Sequence, residues 1–340
     1  MSDNYAICTF PFNAAQISMS GDVFICCPPW SNSYSLGNIY EEHFDEIWNG
    51  ERAREFRRQF IENDYKYCNL DLCVKDCSSK IVPTETAPKP KTFIFCYDSA
   101  CNVKCIFCRS CHQKQDLSYF DEHMDEMLTS MLENTENVCL SGVGECLVSP
   151  HSRKLIKRIS ELFPNIKFSL ISNGILCDEK NLKEIGILDK LLSITISLHA
   201  TKKATYDKLV IGGDFEKVIK NLEFLSNLKK SGKLDKFIFN FVVNTYNYKE
   251  MADYVKMANK YGASVGFLEL LKLETNENIY EELNISDKNH PKYNDFVRVL
   301  KNPIFQSSEC TINDSMLKLK PLPFIQSIKR KIKSVFLKSD

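Results

Sequence analysis

The sequence predicts an α/β fold built on a parallel sheet, preceded by a small cysteine-rich segment. Three observations carry this. From residue 92 to about 270, short apolar runs alternate with amphipathic helical stretches, the order that repeated βα units impose. Just before them, Lys80-Ile-Val-Pro-Thr-Glu-Thr-Ala-Pro-Lys-Pro-Lys91 breaks the composition and reads as a semi-rigid linker. Six cysteines, at 8, 26, 27, 68, 73 and 77, lie ahead of that break.

The elements follow in order. Residues 92–97 read as a buried strand that leads into a loop with three cysteines. Residues 118–133 carry helical periodicity, with Ser118 as N-cap. A short strand is expected over 137–140. Ser149-Pro150 opens a helix through 162, with proline at the first helical position. A strand over 166–171 is closed by Asn173-Gly174, a common tight-turn dipeptide. Next come a helix over 178–188, a strand over 191–198 and a helix over 214–228. A strand over 236–243, a helix over 248–261 and a strand over 264–270 complete the series. About six strands are too few for a closed eight-stranded barrel. Residues after Leu271 are polar and irregular, and a last helix is expected over 324–337. The expected organisation is a cysteine-rich module over 1–80, a linker over 81–91, a core over 92–270 and a C-terminal extension over 271–340.

Bulk properties exclude several classes. The chain has 340 residues, with 44 basic and 44 acidic side chains, so overall charge does not drive nucleic-acid binding. Its start, Met1-Ser-Asp-Asn-Tyr-Ala-Ile-Cys8, has neither the basic nor the apolar part of a secretory signal. No run approaches the ~18 apolar residues of a membrane span. A cytoplasmic, reducing location is expected, with the 15 cysteines as thiols or metal ligands rather than disulfides. Residues 318–340 carry a net charge of +6, and Ile325, Ile328, Ile332 and Val335 repeat at helical spacing. Such a basic amphipathic helix suits peripheral contact with an anionic membrane, or docking on the core by its apolar stripe.

The chemistry centres on Cys101-Asn-Val-Lys-Cys105-Ile-Phe-Cys108. Three closely spaced soft thiolates suit an iron–sulfur cluster. Three local ligands for four irons leave one iron open to a substrate or cofactor. Zinc sites more often show paired knuckles, and three incidental core cysteines are the remaining reading.

This motif resembles that of the radical S-adenosylmethionine (radical SAM) enzymes. The resemblance implies that Cys101, Cys105 and Cys108 hold a [4Fe–4S] cluster, that SAM chelates its fourth iron, and that the core is a partial (β/α)6 barrel. Reductive cleavage of SAM to a 5′-deoxyadenosyl radical would follow, with the electron delivered by a donor such as flavodoxin or ferredoxin. Phe107 resembles the aromatic beside the adenine, although it also suits a core position. Ser141-Gly-Val-Gly-Glu145 resembles the family's GGEP turn, with Val143 and Cys146 as departures. Gly142 and Gly144 would let backbone approach the ligand, and Glu145 would accept from the SAM ammonium. Ser172 and Asn173 resemble the T-N-G strand end that meets the carboxylate or ribose, and Ser197 a position that reaches the ribose. His199 and Asn244 end later strands, His199 either as an acid–base group or as a satisfied strand-end histidine.

The first ninety residues contain Gly21-Asp-Val-Phe-Ile-Cys26, Leu36-Gly-Asn-Ile39, Glu46-Ile-Trp-Asn49 and Cys68-Asn-Leu-Asp-Leu-Cys73-Val-Lys-Asp-Cys77. These landmarks resemble the SPASM/twitch auxiliary-cluster module, here ahead of the core rather than after it. The resemblance implies a second [4Fe–4S] cluster on Cys8, Cys26, Cys68 and Cys73. Cys77 is the main rival, Cys27 a weaker one, and a zinc ribbon the alternative. Cys111, Cys139, Cys146, Cys177 and Cys310 could each be claimed as a thiol hydrogen donor or as an incidental thiol.

The expected function is hydrogen abstraction from a small molecule, such as a sugar or glycan precursor, by an oxidoreductase or epimerase. Cys8 opens the cluster module at once, which leaves no leader-binding domain before it and disfavours a peptide maturase. A non-catalytic iron–sulfur or zinc protein is the reading of another class.

Overall fold

The computed structural model describes residues 8–70, 73, 81–108, 116–141, 143–307, 309–312 and 316. Its strands are β1 (Ala14–Ser18), β2 (Asp22–Phe24), β3 (Gly37–Asn38), β4 (Thr92–Cys96), β5 (Lys104–Cys105) and β6 (Asn137–Leu140), then β7 (Lys167–Ser172), β8 (Leu191–Ser197), β9 (Val210–Ile211), β10 (Lys236–Val242), β11 (Ser264–Leu268) and β12 (Cys310–Ile312). Along the chain, β4, β6, β7, β8, β10 and β11 are each followed by a helix, after the short β5 in the case of β4, which gives the six βα repeats expected. The fold class is α/β with a parallel sheet. The described residues fall within two compact units, one in Met1–Cys101, His112–Ser172 and Cys177–Ile194, the other in Asn102–Cys111, Asn173–Leu176 and Thr195–Asp340.

In the first unit β4, β6 and β7 pair in parallel, and their register aligns apolar side chains in rows. Phe93 stands opposite Val138, which stands opposite Phe168; Phe95, Leu140 and Leu170 repeat the pattern. All six are buried. The alternate positions are less evenly covered: Ile94 and Cys139 are half-buried and Ile171 is exposed, whereas Cys96 and the polar Ser169 are buried. Parallel strands packed on both faces would be apolar throughout. Here only one face is filled in that way.

The cysteine-rich residues join this sheet. β1 pairs in parallel with β4, from Ala14 opposite Thr92 to Ser18 opposite Cys96, and antiparallel with β2. β3 pairs with β2. The proline-rich stretch is tied down as well. Trp48 Nε1 donates to the Pro88 carbonyl at 2.7 Å, Asn49 bonds Ala87 in both directions, and Lys89 forms ion pairs with Asp45 and Glu133. Polar partners on the helix Phe44–Trp48 and its flanks thus turn a spacer into packed chain.

Helix starts follow their side chains. Ser149 Oγ accepts from the N–H groups of His151 and Ser152 ahead of the helix Pro150–Leu162. Asp178 and Asp214 cap the helices Glu179–Glu184 and Phe215–Lys230 in the same way. The expected helix over 118–133 is two helices, Ser118–Glu122 and Met124–Leu132, parted at His123. Ser118 does not cap, because Asp116 Oδ1 takes the Ser118 N–H at 3.0 Å and Leu117 occupies the cap position without a side-chain bond.

In the second unit β10, β11 and β12 are parallel, with Phe241 opposite Phe267 and Cys310 opposite Val265. Phe239, Phe241, Tyr254 and Phe267 form an aromatic core. Residues after Leu271 are more regular than expected. They form helices Glu277–Leu283 and Tyr293–Val299, a short turn of helix at Pro303–Gln306, and β12. Buried Leu283, Ile285, Phe296, Leu300 and Phe305 hold them. The helix expected over 324–337 lies outside the described residues, as do Cys77, Cys111 and Gly142. Among the described residues no helix is long and apolar enough to cross a membrane.

Candidate functional site

In the first unit, the turn after β6 is pressed against the start of the cysteine loop after β4. A Cβ on Gly144 would lie 2.6 Å from the carbonyl oxygens of Asp98 and Ala100 and 2.7 Å from the Ser99 carbonyl carbon. The glycine therefore serves an approach between two backbones of this chain. Glu145 N donates to the Ala100 carbonyl at 2.8 Å, which locks the two segments one residue before Cys101.

Glu145 is buried, with 2% of its surface exposed. Ser172 Oγ, at the end of β7, reaches both carboxylate oxygens, at 2.9 and 3.0 Å, and Leu147 N approaches Oε1 at 3.4 Å. Cys177 Sγ donates to Ser172 Oγ at 3.2 Å. The two strand ends that the sequence singled out separately are thus one network. Ser172 orients Glu145. Burial, and then the charge of Glu145, push the thiols of Cys146 and Cys177 up, so both stay protonated at neutral pH.

The second unit holds the rest of the cysteine loop. β5 pairs with β9, setting Cys105 opposite Val210, and Ile106 N donates to the Leu209 carbonyl at 3.0 Å. Cys108 N closes a turn onto the Cys105 carbonyl at 3.1 Å. Asn173 Nδ2 donates to Asn102 Oδ1 at 2.8 Å, while Asn173 Oδ1 accepts from Ile175 N. Thr275 Oγ1 donates to the Cys108 carbonyl at 2.6 Å. Asn102 and Thr275 were not singled out in the sequence; the Thr275 contact spans 167 positions and leaves no local signal. Ser197 is half-buried at the end of β8.

Phe107 is buried and meets the ring of His199 edge-on at 5.0 Å. His199 takes a left-handed backbone, φ 61°, and its Nδ1 accepts from Val242 N at 3.1 Å. Burial pushes its pKa down to about 3, so the ring is neutral at physiological pH with the proton on Nε2. This is the satisfied strand-end histidine, a wall for Phe107. Asn244 is spent on its own turn, bonding Tyr246 N and the Val242 carbonyl.

A separate site lies in the cysteine-rich residues of the first unit. Cys8, Cys26, Cys68 and Cys73 line one small cavity of about 50 Å³, whose other walls include Phe10, Pro11, Ile25, Trp30, Phe56 and Phe60. Among the described residues Cys27 is not part of that wall; its carbonyl instead accepts from Trp30 and Ser31 in the turn that follows. Among the described residues, no group of three or more His, Cys, Asp or Glu side chains forms a site for a single metal ion. Four soft thiol donors in an apolar enclosure fit an iron–sulfur cluster by donor chemistry. Cys101, Cys105 and Cys108 offer the same soft donor chemistry.

Comparison with known proteins follows the same division. The family described as the SPASM iron–sulfur cluster-binding domain matches residues 8–78, and the radical SAM superfamily matches residues 99–258. A GTP 3′,8-cyclase of Clostridium botulinum is 26% identical over 196 residues, covering 55% of this chain and 59% of that protein. The mycofactocin maturase MftC of Mycobacterium ulcerans is 25% identical over 224 residues, 66% of this chain and 57% of that one. The S-adenosyl-L-methionine-dependent 2-deoxy-scyllo-inosamine dehydrogenase of Niallia circulans is 32% identical over 78 residues, 23% of this chain and 30% of that one. The chain spans 59% of the length of the cyclase and less of the other two.

Proposed function

The chain belongs to the radical SAM superfamily and carries an iron–sulfur cluster-binding SPASM domain ahead of its core, and from that premise we propose that it oxidises a small molecule, such as a sugar or glycan precursor, by hydrogen-atom abstraction. When bound, the two clusters and SAM supply a 5′-deoxyadenosyl radical that takes a hydrogen atom and an acceptor for the electron that the substrate radical then gives up. Cys101, Cys105 and Cys108 would hold the first cluster. Glu145, aimed by Ser172, would accept from the ammonium of SAM. Gly142, Gly144, Asn173 and Ser197 would shape the rest of the SAM site, and Phe107, backed by His199, would flank the adenine.

The observation that carries this reading is the set of four cysteines around one cavity. A cluster ligated by four thiolates has no open iron for a substrate, which leaves electron transfer as its role. The aminocyclitol dehydrogenase among the relatives supports an oxidation of a small cyclic substrate. A peptide substrate is the second reading, favoured by the longer match to the mycofactocin maturase.

Anaerobically reconstituted, dithionite-reduced protein should form 5′-deoxyadenosine from SAM. Nucleotide sugars and amino sugars deuterated at ring carbons should pass deuterium into it. Transfer from Cα-deuterated peptides, with none from sugars, would establish the second reading. Absence of 5′-deoxyadenosine would refute both.

A further inference from the structure

Arg57 is the largest charged side chain with no exposed surface in the described structure, at 0% exposure. It lies on the helix Glu51–Glu62, between Phe56 and the next turn's Phe60, both of which wall the four-cysteine cavity. Its Nε donates to the carbonyl of Pro11, another wall residue, at 2.8 Å. Nη1 donates to the carbonyls of Trp48 (2.9 Å) and Glu85 (3.2 Å) and to Asn49 Oδ1 (3.3 Å). The guanidinium stacks on the Trp48 ring at 4.3 Å. Among the described residues Nη2 is buried with no hydrogen-bond partner. Among the described residues its partners are neutral carbonyls, the Asn49 amide and an aromatic face; the nearby Glu85 carboxylate is taken by Arg58 at the surface.

A buried cation without an anion is costly and is normally paired. Burial lowers its pKa, but only to about 10, so it keeps its charge at neutral pH. The cavity walled by its neighbours Phe56 and Phe60 and by its hydrogen-bond partner Pro11 would take an anionic group: a [4Fe–4S] core held by four thiolates carries a net negative charge, and reduction adds one more. A fixed cation favours the reduced form over the oxidised one, and net charge is one of the levers that set cluster potentials.

We propose that Arg57 is the counter-charge of the auxiliary cluster and holds its reduction potential high enough to accept the substrate's electron. The electron comes from the substrate radical, which also releases a proton, so that hydrogen abstraction and this transfer together make a two-electron oxidation. The proposal rests on the reading that Cys8, Cys26, Cys68 and Cys73 hold that cluster. Arg57 acts through the cluster's field and is a positioning residue for charge, not a group that touches substrate.

The test is a redox titration followed by electron paramagnetic resonance, in the full chain with Cys101, Cys105 and Cys108 replaced by Ala so that only the auxiliary cluster reports. Arg57→Gln should lower the midpoint enough to change the reduced-to-oxidised ratio at least tenfold, about 59 mV for one electron. Arg57→Lys should restore most of it. Asn49→Asp, which sets a carboxylate beside Nη1 and leaves the arginine in place, should shift the midpoint the same way and covers the case in which Arg57→Gln fails to fold. Iron-loaded variants with the parent's midpoint would overturn the proposal. So would Gln and Lys variants that fall equally, since that marks a hydrogen-bonding strut. A parent without iron would overturn the cluster assignment itself, and the proposal with it.

Discussion

Gly144→Ala isolates the contact between the turn after β6 and the cysteine loop. The glycine's φ is ordinary, so alanine meets no backbone penalty and the objection is space alone. The new methyl would sit 2.6 Å from two carbonyl oxygens, both part of the backbone. Ordinary contact requires the segments to part by about 0.8 Å, and overpacking of this kind costs about 1–3 kcal/mol. The bond from Glu145 N to the Ala100 carbonyl is the one that stretches. Strain taken up at the site would weaken SAM binding by roughly 5–150-fold. Iron content, SAM affinity by equilibrium dialysis and the urea midpoint together read the effect. Gly266→Ala is the control: its methyl would lie 2.9 Å from Asn240 Oδ1, a side-chain atom that can turn away. Gly144→Ala protein with parental iron, SAM affinity and midpoint would refute the argument.

Glu145→Gln keeps the shape of the buried network and removes its charge, and should weaken SAM binding by about 1–2 kcal/mol, measured by the same dialysis. Cys8→Ala or Cys68→Ala in the otherwise intact chain should drop iron from about eight per chain to about four, whereas Cys27→Ser should not. Acid stability should report His199. Its pKa is about 6.5 unfolded and about 3 folded, so the unfolded chain binds the proton first as pH falls. Stability present above pH 6.5 should decline by about 2 kcal/mol between pH 7 and pH 5 in urea unfolding, and His199→Gln should flatten that decline.

Strands such as Asn137–Leu140 were legible because apolar alternation and flanking polar residues mark both ends within a few positions. The Ser149-Pro150 start was legible because capping is a local bond. The helices Glu277–Leu283 and Tyr293–Val299 were not, since seven residues make only two turns and show too little periodicity. Residue types at the two glycine- and asparagine-rich strand ends could be read, but not that Ser172 would bond Glu145, nor that Asn173 would hold Asn102 of the cysteine loop. Those are contacts between strands whose spacing in space no local pattern encodes. Arg57 stands beside Arg58 in the sequence, and that no acid among the described residues pairs with it emerges only with packing.

The parallel pairing of β1 with β4 sets a constraint on how this chain can be shortened. β4 bonds β6 on one side and β1 on the other. A chain cut after residue 80 would leave five residues of β4, from Thr92 to Cys96, as a bare edge with unsatisfied N–H and C=O groups. Such an edge is a template for a second molecule. In the intact chain the sheet on that side ends instead at β3, two residues long and too short to recruit a neighbour. The segment that the SPASM family matches thus doubles as a cover for the parallel sheet, and its removal should cause self-association.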